Sequence, residues 1–170
     1  MFDNLLHELA VSTSLVAATV AIHLVGLDLL MTLAGVHLRH FTTSWLHLDR
    51  LLIPLGMVLG LFGLHGLEIW FYAFAYLTLD ALPTLEQALY FSTSAYSTLG
   101  EAGAFLPVKW RIVGALEGVN GMLLIGWSTA FLFQVLNRLL EPVEGEHPLP
   151  RGAIAKRREQ AVVRRSRRKT

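Results

Sequence analysis

Residues Tyr90–Phe105 read YFSTSAYSTLGEAGAF, and how this stretch is read decides the fold. Together with the residues just before it, it forms a moderately apolar segment, Leu82–Ser97. That segment is too short to cross a bilayer, which takes about 20 apolar residues in a helix. Helical character is nevertheless expected. Pro83 suits a first turn, and Glu86 sits where the helix dipole favours an anion. Leu85, Ala88, Leu89 and Ser92 then recur at helical spacing. Gly100 and Gly103 follow. A short helix running into a glycine-bearing turn predicts a re-entrant hairpin. Irregular backbone at membrane depth is tolerated only where protein or a water-filled path surrounds it.

The flanking sequence supplies the membrane. The chain is 54% hydrophobic and 16% charged, more apolar surface than a soluble domain of 170 residues hides. Leu9–Leu27 runs 19 residues without Asp, Glu, Lys or Arg, and the apolar stretch continues past Asp28 to Val36. Leu51–Leu79 is 29 residues interrupted only by His65 and Glu68. At 1.5 Å per residue it is roughly 44 Å long, so it tilts or protrudes. Gly118–Asn137 adds 20 uncharged residues in a segment beginning near Trp110. Three spans are expected, in an all-α membrane protein. With no cysteine, there is no disulfide framework and no thiolate metal site.

Charge sets the orientation. The net +1 hides a split: residues 151–170 carry nine Lys/Arg and one Glu, while residues 1–150 carry five Lys/Arg and twelve Asp/Glu. The basic end is expected in the cytoplasm. Three spans then place the N-terminus outside, where Asp3 and Glu8 stand without Lys or Arg. The first span lacks the positive flank of a signal peptide and is read as a helix. Pro148, Pro150 and Gly152 break the tail from the third span, and its composition predicts disorder beside anionic lipid. Nucleic acid is not an expected partner.

Span, short helix, glycine-bearing turn, span is also the order of a known pore unit. ALYFSTSAYSTLG, Ala88–Gly100, resembles the pore helix and first half of the filter in bacterial two-transmembrane potassium channels, within the pore-loop ion channel superfamily. LPVKWRIVGALEGVNGMLLIGWSTAFLF, Leu106–Phe133, is similar to the post-filter loop and inner helix of the same family. The resemblance covers roughly residues 50–138. It implies a homotetramer, the chain joining three further copies around one axis in a prokaryotic plasma membrane. On that basis residues 1–10 are an external N-terminus and 11–37 an additional transmembrane helix. Residues 38–50 form a cytoplasmic loop, 51–140 the pore domain and 141–170 the basic cytoplasmic tail.

The filter positions that the resemblance implies are Thr98, Leu99, Gly100, Glu101 and Ala102. Thr98, Leu99 and Gly100 stand at the family's Thr-Val-Gly, where a hydroxyl and backbone carbonyls replace the ion's water shell. The next three residues depart from it. Glu101 takes the tyrosine position, Ala102 the second glycine and Gly103 the aspartate. Alanine pays about 1 kcal/mol or more for left-handed backbone that glycine adopts freely, so the outer half of a potassium filter is not expected in its usual shape. Four copies of Glu101 would ring one mouth with carboxylates that cannot all stay ionised cheaply. The expected function is a cation channel subunit with altered, reduced potassium selectivity. The permeant ion is K+ or Na+, with Ca2+ a further candidate. The alternative is a poorly conducting regulatory or heteromeric subunit.

Ionisable groups inside spans ask for partners. His65 and Glu68 are i, i+3 on the second span; Glu117 and Asn120 are i, i+3 on the third. Counted from the outer ends, Glu68 lies about 16 Å deep and Glu117 about 10 Å. Both reach the level of the short helix and are expected to support the filter by hydrogen bonds to Thr93, Ser94 or Tyr96. His65 and Glu68 alone supply two metal ligands with no third evident, so neither a metal site nor a cofactor is expected beyond the permeant cation. His23 lies near mid-membrane, and Asp28 is expected to pair with a neighbouring helix. No nucleophile and base stand at catalytic spacing, so an enzyme is not expected. Gly121 and Gly126 are candidate hinges of the inner helix, and the glycines spaced by four suit close helix packing.

Overall fold

The structure, a computed structural model, describes residues 2–40, 49–99 and 106–140. All of its regular elements among these residues are helical. They are α1 (Phe2–His40), α2 (Asp49–Thr78), α3 (Leu85–Tyr96), a single 3-10 turn (Val108–Trp110) and α4 (Arg111–Leu140). All but the last residue of α4 lie in one compact unit, Met1–Leu139. Three helical segments are long and apolar enough to cross a membrane: Leu5–Leu33, Leu52–Thr78 and Val108–Asn137. α1 takes in Phe2–Ala10, which the sequence suggested as a separate N-terminus. The basic tail and its expected disorder lie outside the described residues.

Side-chain pairing gives the helix directions. Across α1 and α2, a Cβ added at Gly26 would collide with Leu64, and one added at Gly60 with Leu30. His23 of α1 meets Glu68 of α2. Numbers rise on one helix as they fall on the other, so α1 and α2 are antiparallel. The Tyr76–Glu117 and Tyr72–Asn120 pairs show the same for α2 and α4. Thr19–Asn120 and His23–Ser128 make α1 and α4 parallel. This is the alternation successive membrane spans require. The missing Cβ at Gly26 and Gly60 lets the leucines of the opposite helix seat against backbone, the small-residue packing that holds helices together where water provides no drive.

The outward faces are apolar. Leu52, Leu55, Leu59 and Phe62 follow i, i+3, i+4, i+3 along α2 and are exposed, Phe62 by 79%. A stripe of this kind on a soluble protein would be an aggregation hazard; on a span it is the surface that lipid or a neighbouring subunit covers.

α2 ends at Thr78 with Asp80 in left-handed backbone (φ 51°). The amides of Ala81 and Leu82 turn back to the Tyr76 carbonyl, 2.9 and 3.4 Å away. Thr84 then caps α3, its hydroxyl accepting from the Gln87 amide at 3.3 Å. The first helical residue is therefore Leu85. Pro83 precedes the cap instead of occupying the first turn, because Thr84 satisfies a free helix-end amide and proline has no side chain to do so. Glu86 remains in the first turn, at the positive end of the dipole.

Candidate functional site

α3 stops in a way that its sequence does not advertise. The Thr98 amide bonds to the Ala95 carbonyl and the Leu99 amide to the Ser94 carbonyl, both at 3.0 Å. These are the paired bonds of a Schellman stop, whose left-handed residue is usually glycine. Here it is Thr98, with φ 61°. A β-branched residue pays roughly 1–2 kcal/mol in that region. Leu99, next in line, is 73% exposed. Gly100, Glu101 and Ala102, together with Gly103, lie outside the described residues. The chain returns at Leu106, which is buried, and Trp110 is buried one turn of 3-10 helix later.

α4 cradles the end of α3 in a glycine groove. A Cβ on Gly118 would stand 3.1 Å from the Ala95 carbonyl oxygen. One on Gly121 would stand 2.5 Å from the Tyr96 carbonyl oxygen and 3.0 Å from its Cα. Close approach of α3 backbone thus accounts for glycine at 121 by packing. Gly126 has nothing within 4 Å of its missing Cβ. Beside this groove, a half-open cleft of about 390 Å³ runs between α3 and α4, with Phe91, Ala95 and Thr98 on one wall and Val119 and Met122 on the other.

Two buried carboxylates hold α3 from behind. Glu117 of α4 accepts from Tyr76 of α2 at 2.6 Å, and its other oxygen lies 2.5 Å from the Ser92 hydroxyl of α3. Ser92 also reaches the Ile69 carbonyl at 2.9 Å. Its neighbour Thr93 donates instead to the Leu89 carbonyl within α3. Glu68 of α2 accepts from the Tyr96 hydroxyl of α3. Of the three α3 residues expected as partners, then, Tyr96 meets a carboxylate. The second contact is made by Ser92, one turn earlier, because Glu117 sits closer to the α2–α3 turn than Glu68.

α1 is joined to the same layer. His23 Nδ1 lies 2.9 Å from Glu68 Oε1, and His65 Nδ1 lies 3.2 Å from Glu68 Oε2 and 2.9 Å from the Tyr96 hydroxyl. His23 Nε2 meets Ser128 of α4 at 3.4 Å. Asn120 donates to Thr19 of α1 at 2.8 Å and to Tyr72 of α2 at 3.4 Å. His23, Glu68 and Glu117 are all 0% exposed. Asp28, for which a neighbouring partner was expected, lies on the exposed side of α1.

Thr19 and His23 belong to this buried cluster, a place that the sequence analysis did not assign to either. Their signal was present: Glu8, Ser12, Thr19 and His23 recur at intervals of four, seven and four, a single buried stripe on α1. Among the described residues, His23, His65 and Glu68 offer ligand atoms all within 4.8 Å of one another. The chain matches no protein-family model, no curated protein and no solved structure.

Proposed function

We propose that the chain is one subunit of a tetrameric, potassium-channel-like cation pore, with the N-terminus outside and the basic tail in the cytoplasm. The observation that carries this reading is α3. It is a twelve-residue helix, capped at both ends and too short to span, yet held among three long apolar helices by buried carboxylates. Such an investment of buried polar groups in a short helix makes sense where the turn that follows must be placed accurately. That turn starts at Thr98, whose strained backbone is the kind of cost that gathers at functional sites. The negative end of the α3 dipole lies at the same turn, and no basic residue stands in its last helical turn, an arrangement that favours a cation. The exposed Leu99 and the open cleft between α3 and α4 are surfaces that a second copy would cover.

Selectivity follows from Glu101, Ala102 and Gly103. A carbonyl filter shortened by Ala102 and topped by four Glu101 carboxylates suits a non-selective, sodium or calcium pore better than a potassium one. The second reading, a poorly conducting regulatory or heteromeric subunit, is favoured by the same missing Tyr-Gly-Asp.

Flux into proteoliposomes under K+, Na+ and Ca2+ gradients separates the two. Flux is expected, and Glu101→Gln is expected to reduce it by about tenfold at low ionic strength, where a carboxylate ring concentrates cations most. The difference should shrink as salt screens the ring. Silence under every gradient would favour the non-conducting subunit. Flux indifferent to Glu101 would remove it from the conduction path.

A further inference from the structure

The Glu68 carboxylate stands among nitrogen and oxygen donors brought from separate helices. His23 comes from α1, His65 from one turn earlier on α2, and the Tyr96 hydroxyl from α3. We propose that His23, His65 and Glu68 form a binding site for a divalent transition metal, Zn2+ being the best-fitting ion, with the Tyr96 hydroxyl as the fourth contact. The proposal stands on the donor geometry and is independent of whether the chain conducts ions.

Distances fit first. Zinc binds imidazole nitrogen at about 2.0–2.1 Å and carboxylate oxygen at about 2.0–2.2 Å in tetrahedral sites, so its ligand atoms lie about 3.3–3.5 Å apart. The separations here are 2.9 Å for His23 to Glu68, 3.2 Å for His65 to Glu68 and 2.9 Å for His65 to Tyr96. The two imidazoles approach different oxygens of Glu68, so the ion enters when the carboxylate turns to share it and the Tyr96 hydroxyl draws back, both side-chain rotations. All three principal ligand atoms lie within 4.8 Å of one another.

Donor chemistry selects the metal class. Two imidazoles and one carboxylate suit zinc and neighbouring first-row ions; calcium and magnesium ask for six or more oxygens. The surrounding groups are those that orient metal-bound histidine. With Nδ1 on the ion, the ring proton of His23 moves to Nε2, where Ser128 accepts it. The Trp127 ring, 5.9 Å from that of His23, walls the site with apolar surface.

Charge supplies the drive. Among the described residues, the ion-pair partners of Glu68 are the two histidines, with no Lys or Arg. An ionised carboxylate at membrane depth without a counter-charge is costly, and a divalent cation removes that cost. The consequence reaches the hairpin. One ion would fasten α1 to α2 and to Tyr96, two residues before the strained Thr98.

The test uses the full-length chain in detergent micelles, with any affinity tag removed and metals stripped by chelator. Cobalt(II) is titrated as the probe and then displaced by Zn2+. Expected is one Co2+ per chain with the intense visible bands of a four-coordinate N/O site. His23→Gln and His65→Gln should each weaken binding by about 100-fold, and Ser128→Ala by about tenfold. The chain has seven histidines, so the variants assign the site. Where a variant fails to fold, X-ray absorption of the Zn2+-loaded wild type decides. Two imidazoles in a four-coordinate shell at about 2.0–2.1 Å support the site. A six-coordinate oxygen shell, or Co2+ bands unchanged by both histidine substitutions, overturns it.

Discussion

Glu68→Ala should lower the thermal midpoint of the chelator-treated protein in detergent by about 6–12 °C, the shift that some 3 kcal/mol produces in a chain of this size. Two costs add. Truncating a buried side chain of this length leaves a cavity, worth about 2 kcal/mol or more. The His23 ring also loses its acceptor on Nδ1, an orphaned buried donor that costs roughly 1–3 kcal/mol. Tyr96 and His65 lose less, because they remain within 2.9 Å of each other. Glu68→Gln keeps the shape and one acceptor oxygen, so its midpoint should fall by about half as much. A melt unchanged by Glu68→Ala would mean that the cluster contributes nothing to docking α1 and α3.

Gly121→Ala is expected to destabilise the protein by about 1–3 kcal/mol, the usual cost of forcing an atom into a filled space. The obstacle is backbone: the new Cβ would meet the Tyr96 carbonyl oxygen at 2.5 Å, and a carbonyl cannot swing aside as a long side chain can. α3 must shift, and with it the turn at Thr98. Gly126→Ala meets nothing within 4 Å and should be neutral or stabilising by up to about 1 kcal/mol, as alanine favours helix over glycine. Thermal melts of the two variants, run beside flux measurements, separate packing from bending. If Gly126→Ala alters gating while leaving the melt unchanged, bending occurs there. If Gly121→Ala melts like the wild type, the groove does not grip α3 as described.

Much of the architecture was legible because hydropathy is a strong signal. Runs such as Leu9–Leu27 and Gly118–Asn137 leave few alternatives to spans, whereas the start of α3 was read at Pro83 and lies at the Thr84 cap. Glu68, Glu117 and Tyr96 stood out because polar groups inside apolar runs need partners, and depth alone brought them to one level. What sequence could not supply was register between helices. His23 reads as an isolated residue until α1 and α2 are set antiparallel with Gly26 under Leu64; only then does it face Glu68. The same register turns a two-ligand pair into a three-ligand cluster. Thr98 was singled out by resemblance, but its backbone was not legible: a threonine in left-handed conformation defies its own propensity, and such exceptions are where local rules are expected to fail.

The claim on which the functional reading rests is that four copies bring their α3 turns to a common axis. A single cysteine tests it, since the chain has none of its own. Leu99→Cys, at the exposed end of the α3 turn, and Phe62→Cys, on the exposed stripe of α2, should both behave as well-folded protein. Native mass spectrometry is expected to give four chains. Mild oxidation or a short bis-thiol reagent should then link Leu99→Cys into covalent pairs and leave Phe62→Cys unlinked. An assembly of any other number, or linkage at Phe62 with none at Leu99, would contradict the account.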